Sequence, residues 1–126
     1  MHIMKTLLIA LSLAASTGAS AVQQSSVAGK WKVESNVGGT ASEQSCTFTQ
    51  KEDGALSGTC DSDQGDLAIT GKVDGKSVTW QLNTRWEGQV LTVIYSGSLE
   101  SPAKIVGRVD VQPMGVTGDF TATQQK

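Results

Sequence analysis

Histidine is almost missing from this sequence, whose 126 residues contain only His2. His2 lies in a predicted export signal, so the protein that remains after cleavage would have no histidine. The imidazole of histidine is the side chain most often used as a general base and as a metal ligand. Ser-His-Asp and Cys-His catalysis and a histidine-ligated zinc site are therefore excluded. No two acidic residues share a predicted inner face, so the paired carboxyls of a glycosidase are missing too. We expect a protein that is not an enzyme and that needs no metal and no cofactor.

Cysteine is also scarce, since Cys46 and Cys60 are the only two. In an exported chain, two cysteines usually pair. If Asp53 is the centre of a hairpin turn, Cys46 faces Cys60 across the two strands, and Phe48 faces Gly58. Side chains that face each other in this way are about 4.5–5.5 Å apart at Cβ, which a slightly adjusted disulfide can bridge. The sequence therefore predicts a Cys46–Cys60 disulfide.

Positive charge is not in excess. The chain has 10 Lys and Arg residues against 12 Asp and Glu residues, and removing Lys5 with the export signal changes the net charge from −2 to −3. Nucleic acids and anionic membrane surfaces are both bound through clustered Lys and Arg side chains. We expect neither as a partner.

The N-terminal segment has the layout of a secretory signal. Lys5 precedes an apolar run over residues 7–15, and Ala19-Ser20-Ala21 then matches an A-x-A cleavage site. The apolar run is too short to span a bilayer as a stable helix. We predict export to the periplasm or the extracellular medium. The predicted organisation is a signal peptide over residues 1–21, a short tail over 22–28 and a barrel domain over 29–124.

Long helical patterns are absent. The sequence instead has short runs, rich in Val, Thr and Ile, in which apolar and polar residues alternate. Short links such as Asp53-Gly54 and Asp74-Gly75 force neighbouring strands to be antiparallel. Closure removes the exposed edges of such a sheet. We therefore predict an all-β fold, an eight-stranded antiparallel up-and-down (meander) barrel. The predicted strands are 30–34, 44–50, 55–60, 66–73, 77–83, 90–99, 104–110 and 116–123.

Two further patterns support closure around an apolar interior. Glycines occur inside five of the runs, where they allow a sheet to bend. Alternation places apolar side chains on one face and Lys, Thr and Asn on the other, the reverse of an outer-membrane barrel, so we expect no membrane insertion. The five glycines are Gly58, Gly71, Gly97, Gly107 and Gly118.

Gly29-Lys30-Trp31 opens the predicted barrel with a Gly-x-Trp pattern that resembles the signature of the calycins, which include the lipocalins and the avidins. Four further segments resemble the avidin and streptavidin family in order and approximate spacing: 53–60, 69–73, 78–80 and 95–97. The resemblance implies a calycin-like barrel. It would also imply a tetramer, but the family's intersubunit tryptophan position is Val109 here, so the oligomeric state stays open.

The resemblance does not extend to the residues that hold biotin. The first-strand asparagine position is Val33, and the hydroxyl positions of the sixth strand are Leu91 and Val93. Apolar side chains would bury the polar atoms of a urea ring without hydrogen-bond partners. We predict no biotin binding.

Several inward side chains are candidates for binding a small apolar molecule, or they could simply fill the centre of the barrel. The short chain and the branched residues on almost every strand favour a filled centre. Trp31 matches a calycin tryptophan that packs on the barrel floor. The candidate ligand-binding residues are Trp80, Tyr95, Val93, Leu82 and Trp31.

Trp86, beside Arg85, lies in a predicted link where no alternation buries it. It could cover the barrel mouth, contact another protein or pack on the rim.

From the predicted barrel and its inward side chains, we predict an exported binding protein for a small apolar ligand. The alternative is a protein-interaction module, such as an inhibitor of a secreted protease or lysozyme, with residues 23–27, Arg85 and Trp86 as contacts.

Asp61, Asp63 and Asp66 resemble the opening of a calcium loop. The later bidentate glutamate is missing, and Lys72 lies near its position. We expect a solvated acidic loop and no metal site.

Overall fold

The computed structural model describes residues 25–126, and the predicted signal peptide lies outside them. Each of eight antiparallel strands pairs with its neighbours in sequence, and the last pairs with the first, which confirms the closed meander barrel. No helix in this part of the chain is long and apolar enough to cross a membrane. The strands are β1 (Gly29–Val37), β2 (Thr40–Gln50), β3 (Ala55–Cys60), β4 (Leu67–Asp74), β5 (Ser77–Trp86), β6 (Gln89–Ser101), β7 (Lys104–Gln112) and β8 (Val116–Gln124).

The β1–β2 hairpin is longer than the alternation pattern predicts. β1 continues to Val37 and β2 begins at Thr40, so residues 35–43 are not an open link. Gly38 and Gly39, with φ of 59° and 85°, form the turn between them. Two consecutive residues with positive φ match the twist of a hairpin, and glycine adopts them without strain.

The β2–β3 register is the predicted one. Cys46 faces Cys60 and Phe48 faces Gly58. The two cysteines are joined by a disulfide, which confirms that prediction.

Four aromatic rings fill the centre of the barrel. Trp80 stacks on Tyr95 at a centroid distance of 4.9 Å and an interplanar angle of 11°. It also contacts the rings of Phe48 at 5.0 Å and Phe120 at 5.2 Å. Only 1% of Trp80 is exposed. The rings therefore occupy the volume that a ligand would need for a central site.

Three of these four rings lie opposite a glycine on the next strand. Phe48 faces Gly58, Trp80 faces Gly71 and Phe120 faces Gly107. A Cβ atom at Gly71 would lie 2.7 Å from the Cα atom of Trp80. The missing side chains let large rings cover bare backbone, so the in-strand glycines and the aromatic core depend on each other.

Replacing Gly107 with alanine is expected to destabilise the barrel by about 1–3 kcal/mol, because the added methyl group overpacks the sheet. Its Cβ would lie 2.1 Å from the carbonyl oxygen of Ser96 and 2.4 Å from the Cα atom of Gly97. Urea unfolding of the variant measures the loss.

Gly88→Asn is the matched control. Nothing lies within 4 Å of a Cβ atom at Gly88, whose φ of 80° asparagine tolerates better than most residues. Its free energy of unfolding should change by less than about 0.5 kcal/mol. Equal losses in the two variants would contradict the packing argument.

Candidate functional site

One end of the barrel is sealed by the segment that precedes β1. Val27 is fully buried there. The Gln50 side chain holds the segment by accepting a hydrogen bond from Val27 N and donating one to the carbonyl of Ser25, each 2.8 Å long. The indole Nε1 of Trp31 donates to the carbonyl of Val27 at 2.9 Å. We call this the sealed end, because the segment covers the core of the barrel on the side where β1 begins.

The opposite end, which we call the open end, carries a cleft of about 420 Å³. Its wall comes from β2, from the β3–β4 loop over residues 61–66, and from Tyr95 on β6. Because β2 and β6 are four strands apart in an eight-stranded barrel, Tyr95 must reach across the lumen to line it. The lining residues are Ser42, Glu43, Gln44, Asp61, Ser62, Asp63 and Tyr95.

Tyr95 contributes a hydroxyl group to the cleft. Only 6% of the residue is exposed, and the hydroxyl has no hydrogen-bond partner among residues 25–126. Burial raises the pKa of this hydroxyl to about 12, so it stays protonated at neutral pH. Trp80, stacked on the same ring, has a buried Nε1–H that also lacks a partner in the described chain.

The β3–β4 loop is held in place by hydrogen bonds to two strands. Asp61 accepts from Ser45 N through Oδ1 at 2.8 Å and from Gln44 Nε2 through its carbonyl at 3.0 Å. Gln64 Nε2 donates to the carbonyl of Arg85 at 2.9 Å. The loop is therefore a fixed wall of the cleft. Among residues 25–126, no cluster of three His, Cys, Asp or Glu residues could hold a metal ion.

The predicted ligand-binding residues are divided between three levels of the barrel. Trp80 and Tyr95 lie in the central ring cluster. Leu82 and Val93 face each other across β5 and β6, between the rings and the open end. Trp31 lies under the sealing segment and does not reach the cleft.

Trp86 and Arg85 are the last residues of β5 and lie at the open end. Trp86 is in phase with Trp80 and Leu82, because β5 and β6 keep one register up to the Trp86–Gln89 pair. Its predicted place in a link is therefore wrong, although 52% of it is exposed. Val90 and Met114, the other large apolar residues exposed in the described chain, lie at the same end.

Sequence reasoning missed the β2 side of the cleft. Ser42 and Gln44 line it because the Gly38-Gly39 turn carries β2 back along β1. That glycine pair was the available signal. Asp61 and Asp63, predicted only as a solvated acidic loop, form part of the same wall.

No family model matches the chain, and no curated protein matches it either. Solved structures do. A redesigned β-barrel, mFAP1 bound to DFHBI, is 15% identical over 78% of this chain and 94% of its own, with a TM-score of 0.60. Another, mFAP0 bound to DFHBI, is 16% identical over 78% and 98%, with a TM-score of 0.58.

The likeness lies in the fold alone. A third redesigned barrel, at 15% identity and a TM-score of 0.59, covers 79% of this chain and 92% of its own. These matches support a small eight-stranded barrel and do not confirm the resemblance to avidins and lipocalins.

Proposed function

We propose that this protein is an exported, non-catalytic barrel that binds a small molecule in the cleft at its open end. The observation that carries the proposal is Tyr95, a residue only 6% exposed that lines the cleft and whose hydroxyl has no hydrogen-bond partner among the described residues. This hydroxyl can bond to a ligand in the cleft without breaking a hydrogen bond inside the protein. The fully buried disulfide is consistent with an oxidising compartment.

The ligand binds at the mouth, because the rings of Trp80 and its neighbours fill the centre. The apolar part of the ligand would pack against Tyr95. If the strands at the open end moved slightly apart, it would also contact Leu82 and Val93. The cleft volume of about 420 Å³ is in the range of small-molecule sites. The DFHBI complexes of mFAP0 and mFAP1 support a barrel of this fold as a scaffold for a small ligand.

Phenethyl alcohol is a suitable neutral probe, because it joins one aromatic ring to one hydroxyl. We expect saturable binding that shifts the backbone amide NMR signals of Gln44, Ser62 and Tyr95. Tyr95→Phe should weaken the binding about two- to tenfold, the range for one neutral hydrogen bond.

Trp86→Ala is the control, because Trp86 is not among the lining residues. It should leave the affinity for phenethyl alcohol unchanged. Signals that shift only at the sealed end, or no saturable shifts at all, would refute the site.

A second candidate function is contact with a secreted protein. It is favoured by the exposed Trp86, Val90 and Met114, all at the open end. Exposed tryptophans often contribute much of the energy of protein interfaces. Trp86→Ala separates the two functions, because it should weaken a protein complex and spare the small-molecule probe.

A further inference from the structure

We propose that the cleft at the open end selects small organic ammonium ions. This inference rests on the proposed function and names its ligand class. It follows from the charge of the wall, from the hydrogen-bond donors already used within it, and from the unpartnered Tyr95 hydroxyl.

Three acidic residues and no cationic residue line the cleft: Glu43, Asp61 and Asp63. The Glu43 carboxylate lies on the outer face of the sheet, where Lys32 Nζ is 3.9 Å from its Oε2, so the uncompensated charge of the wall belongs to Asp61 and Asp63. Asp63 has no ion pair and no hydrogen bond among residues 25–126. A net negative potential therefore remains at the cleft, where it attracts cations.

Most hydrogen-bond donors of the cleft wall already bond to other groups of the protein. Gln44 Nε2 donates to the carbonyl of Asp61. The Ser62 hydroxyl donates to the carbonyl of Gly65 at 2.6 Å, and the hydroxyl of Ser42 is paired with that of Ser35 at 3.0 Å. The groups left for a ligand are mainly acceptor oxygens. A ligand that matches them must donate hydrogen bonds, as an ammonium group does.

The unpartnered hydroxyl of Tyr95 supports an ammonium ligand independently of the acidic residues. Its oxygen can accept a hydrogen bond from an ammonium N–H while its own hydrogen is shared with a second ligand group or water. No cluster among residues 25–126 could hold a metal ion, so the charge is better matched by an organic cation whose N–H groups bond to separate acceptors. Arg85, the cation of the rim, lies outside the lining.

Three probes of nearly equal size test the inference at neutral pH: phenethylammonium, phenethyl alcohol and hydrocinnamate. We expect phenethylammonium to bind at least about tenfold more tightly than hydrocinnamate, with the alcohol between them. Raising NaCl from about 20 mM to about 500 mM should weaken the ammonium complex and spare the alcohol complex. NMR titration measures all three affinities.

Asp63→Asn removes one unpaired carboxylate from the wall. It should weaken phenethylammonium binding about two- to fivefold, the range for an exposed charge pair, without changing the alcohol. Asp74→Asn is the matched control, because it makes the same charge change at an exposed position, the last residue of β4, at the sealed end. It should leave both affinities unchanged.

The outcomes separate this inference from the proposed function. If the alcohol binds and the ammonium ion binds no more tightly, or if hydrocinnamate binds best, the charge selectivity is refuted and the cleft stands. If no probe binds, both are refuted. Equal effects of Asp63→Asn and Asp74→Asn would reduce the preference to the net charge of the protein and would refute a built site.

Discussion

Replacing Trp80 with alanine is expected to lower the free energy of unfolding by about 3–5 kcal/mol, the range for truncating a large buried aromatic residue. Trp80 is 1% exposed and contacts three other rings. Its removal would leave a cavity at the point where those rings meet. The β4 residue that faces Trp80 is Gly71, which has no side chain to occupy part of the space.

Trp86→Ala is a close control for this experiment. Trp86 is the same residue type on the same strand and in the same phase, but it is 52% exposed. Its replacement should change the free energy of unfolding by less than about 0.5 kcal/mol. Urea denaturation measures both variants, and comparable losses would show that the ring cluster is not the centre of the core.

Removing the disulfide with the double substitution Cys46→Ala and Cys60→Ala should cost about 3 kcal/mol, mainly because the unfolded chain gains conformational freedom. The bridge closes a loop with a sequence separation of 14. Both cysteines are fully buried, so lost packing adds to this effect. The Tm should fall, and a reductant should react slowly with the folded wild-type protein because it cannot reach the sulfur atoms.

The double substitution Ser35→Ala and Ser42→Ala is the matched control for the disulfide. These residues also face each other across two strands, and their hydroxyls form an exposed hydrogen bond of 3.0 Å. Exposed hydroxyls can bond to water instead, so the loss should be less than about 1 kcal/mol. A loss of this size in the cysteine double variant would contradict the predicted role of the bridge.

The barrel could be predicted from the sequence because its signals are local. Alternation over a few residues indicates a strand and its inner face, and a turn residue such as Asp53 fixes the register of a hairpin. That register alone was enough to place Cys46 opposite Cys60. The inner positions of Trp80 and Tyr95 followed in the same way.

The cleft could not be predicted, because it depends on distances across the lumen. Alternation shows that Tyr95 points inward, but not that its ring reaches the wall formed by β2, four strands away. Trp86 was predicted in a link because Thr84 and Arg85, two consecutive polar residues, interrupt the alternation that indicates a strand. The sealing contact of Val27 was missed because Gln50, which holds it, lies 23 residues further along the chain.

Both ends of the described chain leave the barrel on the same side. Ser25 lies at the sealed end, and Gln124 is close enough to donate a hydrogen bond from Nε2 to the carbonyl of Ala28 at 3.2 Å. A label or a solid support attached at Ser25 or at Gln124 would therefore lie away from the cleft. Tethered at either of these positions, the protein would keep its cleft facing the solution.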